Sequence, residues 1–224
     1  MNSSAVGLII LAAGASTRMG TPKQLLDYQG RSFIRHTAEV AIASVCQPTI
    51  VVLGAYAERI QPELSDLPVQ VVKNQQWREG MSASIQVGLN ALLTGNPHLE
   101  AIAIALCDQP FVSSQTLNHL VEAYRSTGQP IIASEYAGTL GVPVLFNNTL
   151  FPELMALKTT EGAKKLIQNY YPQVFSIPFS EGAIDIDTPK DYEQLFSPID
   201  YHGQQARCRV GENLSIQLDA FDEH

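Results

Sequence analysis

The feature that most constrains the fold is a continuous apolar run that returns several times, with helical patterns in between. Val6–Leu11 (VGLIIL) shows no polar alternation and leads into Ala-Ala-Gly, the pattern of a strand buried on both faces. Runs of the same kind recur at Thr49–Leu53 (TIVVL), Val69–Val72, Ala101–Leu106 (AIAIAL) and Pro130–Ala133. Helical periodicity falls between them, over Ser32–Val45, Ala55–Leu64, Ser82–Leu93 and Ser113–Arg125. Strand and helix therefore alternate across the first 130 residues. This predicts an α/β fold with a mostly parallel sheet covered on both faces. Such sheets bind ligands beyond the carboxyl ends of their strands, so the chemistry is sought just after each run.

The second half is less regular. Gly141–Phe146 (GVPVLF) suits a strand, at an edge or antiparallel because of Pro143. Two short helices are expected around Asn148–Leu157 and Glu161–Tyr170, with further strands at Val174–Ile177 and Ala183–Ile186. Thr188-Pro189 opens another helix, with Asp187 or Thr188 as its cap and Pro189 in its first turn. Beyond Ser197-Pro198 the apolar periodicity fades. The expected division is a catalytic domain over residues 1–197 and an acidic tail over 198–224 with no role assigned to it.

Charge and cysteine usage narrow the partners. A formal charge of −8 argues against a general nucleic-acid binder, since phosphate backbones call for a basic surface. A few local cations and a metal can still hold one triphosphate. Cys46, Cys107 and Cys208 are far apart and form no CxxC pair, which suits a reducing compartment and speaks against a zinc site. The apolar stretch Val6–Ala13 is too short for a signal sequence and lacks a basic flank; no run reaches the length of a membrane helix. The expected location is the cytoplasm.

Four segments carry chemistry. The first strand runs into Leu11-Ala12-Ala13-Gly14, followed by Arg18 and Lys23. Small residues directly after a buried strand let the backbone approach a ligand. Successive amides in such a loop form an anion-binding concavity, to which Arg18 and Lys23 add charge. Only Gly14 and Gly20 are present, so this is neither a Walker loop nor a dinucleotide fingerprint. Ala101–Leu106 ends in Cys107-Asp108-Gln109-Pro110, placing the Asp108 carboxylate at the end of a buried strand, where it suits a metal ion. Asp185 and Asp187 form a second acidic cluster, and one of them can supply a second ligand to a magnesium ion; Asp187 equally suits a helix cap. Gly80, Ser82 and Ser84 open the helix after the third run, where hydroxyls and free amides can read a base edge or hold phosphate. Ser82 equally suits the N-cap. His36, His119, Trp77 and Cys107 suit packing or surface roles.

In this order, LAAGASTRMGTPK (residues 11–23), REGMSASIQVGL (78–89), ALCDQPFV (105–112) and DIDTPKDY (185–192) resemble the molybdenum cofactor cytidylyltransferase group of the nucleotidyltransferase superfamily. The resemblance runs from Val6 to Phe196. It implies a Rossmann-like three-layer α/β/α sandwich, mostly parallel, with an antiparallel strand in the second half. It further implies transfer of CMP from CTP to the terminal phosphate of molybdopterin, with release of pyrophosphate. Arg18, Lys23 and Asp108 would be catalytic, and Asp108 and Asp187 would hold Mg2+. Leu11, Ala12, Ala13, Gly14, Lys23, Gly80, Ser82, Ser84 and Asp108 would hold the nucleotide. Related guanylyltransferases read LAGG where this chain has Leu11–Gly14, which points to CTP. Ser84 occupies the place of a serine beside cytosine in similar cytidylyltransferases. Departures occur at Gly141-Val142-Pro143 and at residues 159–164 (TTEGAK), both on the acceptor side. The alternatives are use of GTP, a sugar or polyol phosphate as acceptor, or a catalytically silent protein that delivers the cofactor to a molybdoenzyme or its chaperone.

Overall fold

The computed structural model describes residues 5–159 and 161–196; the expected tail at 198–224 lies outside the described residues. A seven-stranded sheet runs in the order β5 (Gln70–Lys73), β4 (Thr49–Leu53), β1 (Val6–Ala12), β6 (Ala101–Leu106), β8 (Thr139–Asn147), β7 (Ile131–Tyr136) and β9 (Val174–Pro178). Every neighbouring pair is parallel except those made by β8, which is antiparallel to both β6 and β7. A small antiparallel ribbon, β2 (Asp27–Tyr28) with β3 (Arg31–Ser32), stands apart.

Alternation along the strands divides the interior into two layers. Leu8, Ile10, Val51, Leu53, Ala103 and Ala105 face α1 (Phe33–Ile42), α2 (Ala57–Ile60) and α4 (Ser114–Thr127). Ile9, Leu11, Ile50, Val52, Ile102 and Ile104 face α3 (Met81–Gly95), α5 (Phe151–Met155) and α6 (Ala163–Asn169). The expected three-layer α/β/α sandwich is therefore present. α1 and α4 begin where side chains satisfy their free amides: Ser32 Oγ accepts from Arg35 N, and Ser113 forms a reciprocal capping box with Thr116. Gly128, at φ 66°, ends α4 in the left-handed conformation.

Several expectations need correction. Ala183–Ile186 is not a strand. A 3-10 turn covers Ser180–Ala183, and the chain then crosses the strand ends rather than running along them. Phe179 N donates to Glu135 O beside the end of β7, and Ile186 N donates to Asp108 O just beyond β6, so single bonds replace a ladder. The helix read over Ala55–Leu64 is one α-turn followed by a 3-10 turn, Gln61–Leu64, because Pro62 lacks the N–H a longer helix needs. The helix read over Asn148–Leu157 is likewise a 3-10 turn, Asn148–Leu150, running into α5 with Pro152 at its start. β8 is antiparallel as expected, yet it lies inside the sheet rather than at an edge. Pro143 is tolerated there because pairing with β6 stops at Val144 and the β7 register slips between Ala133 and Ser134. Ser134 Oγ donates to the Pro143 carbonyl at 2.7 Å across that irregularity.

Candidate active site

The loop after β1 is shaped from below by a residue the motif reading did not single out. Gln24 is 2% exposed, and its Nε2 donates to the carbonyls of Ala12 and Gly14, each at 3.0 Å. Ser16 Oγ donates to Gln24 Oε1 and accepts from Lys23 N, and Ala55 N donates to the Ala13 carbonyl. Three successive carbonyls are thus taken up by the protein. In a trans peptide the N–H points opposite to the carbonyl, so the amides of Ala13, Gly14 and Ala15 turn away from those partners. Ser16 at φ 51° and Gly20 at φ 74° complete the turn. Loop and Gln24 together present backbone amides, as an anion site requires.

Lys23 lies between two carboxylates. Its Nζ is 2.5 Å from Asp108 Oδ2 and 2.8 Å from Asp187 Oδ1, and Arg18 Nη2 is 2.7 Å from Asp187 Oδ2. These four residues come from three regions of the chain: the β1 loop, the end of β6 and the crossing segment before α7 (Pro189–Phe196). Burial opposes the charge on Lys23, but the Asp108 and Asp187 carboxylates prevail and hold the ammonium above its ordinary pKa. Side-chain exposures of 15% for Lys23 and 18% for Asp108, against 70% for Arg18, separate a half-enclosed pair from a cation at the rim.

Asp187 is free for this contact because Thr188 does the capping. Thr188 Oγ1 accepts from Asp191 N, while Asp191 Oδ2 accepts from the amides of Asp187 and Thr188. Asp185 points to the same region. The residue is exposed as a whole, but partial desolvation of its carboxyl and the neighbouring Asp108 raise it above the usual range, opposed by the nearby Gln109 amide. Gln109, 2% exposed, also donates to the Gly182 and Val142 carbonyls, fastening the crossing segment to β8 beside Asp108.

The donor set fits a divalent cation. Two carboxylates meet one nitrogen, so a single ion can bridge them, and Asp108 Oδ1 is buried with no hydrogen-bond partner. Among the described residues no group of three or more His, Cys, Asp or Glu side chains is arranged to hold a metal. A two-carboxylate site whose remaining ligands are water and phosphate oxygens is the usual arrangement for magnesium.

Ala13, just after β1, lies close to Gly54 and Trp77. A Cβ on Gly54 would lie 2.5 Å from the Ala13 carbonyl and 2.7 Å from Trp77 Cβ, so only glycine lets these three segments meet. Arg78 stacks on Trp77 at 4.4 Å from the ring centroid. Gly80, not Ser82, is the N-cap of α3, and its φ of 108° and the Thr159 carbonyl 2.4 Å from its Cβ position exclude a side chain. Ser82 and Ser84 are both buried in the first turns; Ser84 Oγ accepts from Asn74 Nδ2 at 3.0 Å. Asn74 escaped the motif reading because a lone asparagine after a strand reads as a turn residue.

Cys107 is fully enclosed and burial drives its thiol strongly upward, so it is no nucleophile at neutral pH. His36 packs edge-on against Tyr28 at 4.8 Å. What remains is a site that neutralises charge: amides, two cations and two carboxylates at the carboxyl ends of β1 and β6.

The profile of the MobA-like NTP transferase domain matches residues 8–174, which carry both the loop and Asp108. The chain belongs to that family. It is 28% identical to the purine catabolism protein PucB of Bacillus subtilis over 199 residues, covering 84% of this chain and 94% of that one. Over 118 residues it is 36% identical to nicotine blue oxidoreductase of Paenarthrobacter nicotinovorans, covering 52% of this chain and 56% of that protein's length. Among solved structures it is similar to Rv0371c of Mycobacterium tuberculosis H37Rv, at 30% identity and a TM-score of 0.75, covering 86% of this chain and 98% of that one. A manganese complex of Rv0371c is similar at 27% identity and a TM-score of 0.71, covering 87% and 100%. Residues 8–174 thus form a MobA-like NTP transferase domain. No helix among the described residues is long and apolar enough to cross a membrane.

Proposed function

We propose that this MobA-like enzyme transfers CMP from CTP to molybdopterin, releasing pyrophosphate, with Mg2+ on Asp108 and Asp187. The observation that carries the transfer chemistry is the convergence of Lys23, Asp108 and Asp187 beside a loop whose amides face outward. A terminal phosphate is already ionised and can attack the α-phosphorus without a general base. The reaction then needs alignment and charge neutralisation. The loop amides hold the triphosphate, and Lys23 and Arg18 stabilise the charge that builds on the leaving pyrophosphate. A divalent ion held by Asp108 and Asp187 would supply further Lewis-acid neutralisation of phosphate charge.

Cytosine is favoured on the base side. The Ala13 methyl narrows the loop where guanylyltransferases carry glycine, and Trp77 and Gly54 back that loop so it cannot retreat. Asn74 takes the acceptor side of Ser84, leaving its hydroxyl hydrogen for a cytosine acceptor atom. Molybdopterin as acceptor rests on the resemblance of the four motifs.

The test is pyrophosphate release with each of the four ribonucleoside triphosphates, with and without molybdopterin, in Mg2+ and in Mn2+. CTP with molybdopterin should exceed every other pair at least tenfold. Equal rates with GTP would remove the cytidylyl assignment, and release that ignores molybdopterin but responds to a sugar or polyol phosphate would replace the acceptor.

A further inference from the structure

The carboxylate pair is already bridged by a cation of the protein itself. Asp187 has both oxygens engaged, Oδ1 by Lys23 and Oδ2 by Arg18, while Asp108 gives Oδ2 to Lys23 and keeps only the buried Oδ1 free. Lys23 and Arg18 balance Asp108 and Asp187 by formal charge, and the Asp185 carboxylate beside them adds one more negative group. A divalent ion entering alone would compete with an ammonium held at 2.5 Å and 2.8 Å, and would turn the half-enclosed site net positive even with Asp185 counted. A nucleoside triphosphate changes both terms. Its phosphates offer Lys23 and Arg18 other anions, and their negative charge offsets the incoming metal.

We infer that Lys23 is a resident stand-in for the metal, closing the Asp108–Asp187 pair to free divalent ions until a nucleotide's phosphates draw its ammonium away. The inference rests on the reading of Asp108 and Asp187 as metal ligands. It adds an order of events: metal and nucleotide enter in mutual dependence, and Lys23 sets the strength of that coupling. Arg18 is the weaker part of the latch, since at 70% exposure it leaves Asp187 at little cost.

The experiment is titration of Mn2+ followed by the electron paramagnetic resonance of the free ion, without and with a non-hydrolysable CTP analogue. Without nucleotide, Lys23→Met should bind Mn2+ at least tenfold more tightly than wild type, because the two carboxylates have lost their bridging cation. Lys23→Arg, which keeps the charge, should stay near wild type. Adding the analogue should tighten Mn2+ binding more in wild type than in Lys23→Met. Binding by Lys23→Met that is no tighter than wild type overturns the latch. In wild type, the Lys23 ammonium resonance, assigned by its loss in Lys23→Arg, should hold its position in Mg2+ alone and move when Mg2+ and analogue are present together. A full shift in Mg2+ alone overturns the proposal even if Lys23→Met does not fold. Failure of the underlying metal reading looks different: adding Asp108→Asn to Lys23→Met would then leave Mn2+ binding unchanged.

Discussion

Lys23 and Asp108 stand 85 positions apart in the chain and meet at 2.5 Å between Nζ and Oδ2. The register explains the meeting. Leu11 on β1 pairs with Leu106 on β6, so the two strands end side by side and the residues leaving them share one cleft. Asp187 arrives from the opposite end of the sequence, on a segment that Gln109 and the Ile186–Asp108 bond hold across the strand ends. Each contact can be removed separately.

Asp108→Asn should keep the fold and lose activity on the order of 10²-fold or more, since a neutral amide is a poor ligand for a hard cation. Far-ultraviolet circular dichroism and steady-state rates over a Mg2+ series check this. A near-normal rate with unchanged Mg2+ dependence would take Asp108 out of the metal site.

Lys23→Ala should lower kcat by about 10²-fold while shifting nucleotide Kd by about threefold or less, if the ammonium meets charge that grows during transfer. Single-turnover rates combined with equilibrium binding separate the two effects. A raised KM at constant kcat would make Lys23 a contact to the ground state alone.

Gln24→Met keeps the volume and removes the hydrogen bonds to the Ala12 and Gly14 carbonyls. Leaving such carbonyls without a partner costs about 1–3 kcal/mol each, before any relaxation of the loop. The expected outcome is a lower thermal midpoint together with weaker nucleotide binding. Unchanged nucleotide affinity in the folded variant would show that the loop keeps its amides in place without Gln24.

The sequence made the strands and the chemistry legible, and left their spatial arrangement dark. Runs such as TIVVL and AIAIAL announce themselves because a strand buried on both faces tolerates no polar alternation, and Asp108 stands out because it follows one of them directly. The place of β8 between β6 and β7 has no such mark, because strand order is decided by which faces the helices cover. Ala183–Ile186 misled for a related reason. Its alternation serves one buried residue, Ile186, on a segment crossing the sheet rather than joining it. Gln24 and Asn74 were missed because a side chain bonding backbone or a neighbouring hydroxyl leaves no period in the sequence. Asp187 or Thr188 as the cap was undecidable from spacing alone, and only the bond from Asp191 N to Thr188 Oγ1 settles it.

The described cysteines should be inert in the native enzyme. Burial comes first among the causes that push Cys46 up to about 11, and it drives Cys107 higher still. A thiol whose folded pKa is raised contributes stability that is complete below its ordinary value near 9 and is lost as pH rises through the folded value. At about pH 8 almost no thiolate forms, so maleimide should label neither residue until the protein unfolds. Peptide mass spectrometry reads this residue by residue. Rapid native labelling of Cys107 would contradict its enclosure beside Asp108.

Nucleotide choice offers the sharpest test of the loop. Ala13 is 7% exposed, its carbonyl is tied to Ala55 N, and its Cβ lies 2.8 Å from where a Cβ on Gly54 would be, so the methyl is wedged between the loop and the β4 turn. A loop fixed in this way cannot give ground to a larger base. Removing the methyl opens space against Gly54 and frees the backbone to draw back from a larger base. Ala13→Gly should therefore reduce the CTP-over-GTP ratio in kcat/KM, while Ser84→Ala should lower CTP use without raising GTP use, since it removes a hydrogen bond rather than a wall. One methyl group in a pocket is worth about 1–3 kcal/mol of discrimination, so a shift of about ten- to a hundredfold is the expected scale. Competition between the two nucleotides in one reaction, read as the ratio of dinucleotide products, measures it directly. An unchanged ratio in Ala13→Gly would move the source of specificity from the loop to Trp77 and the start of α3.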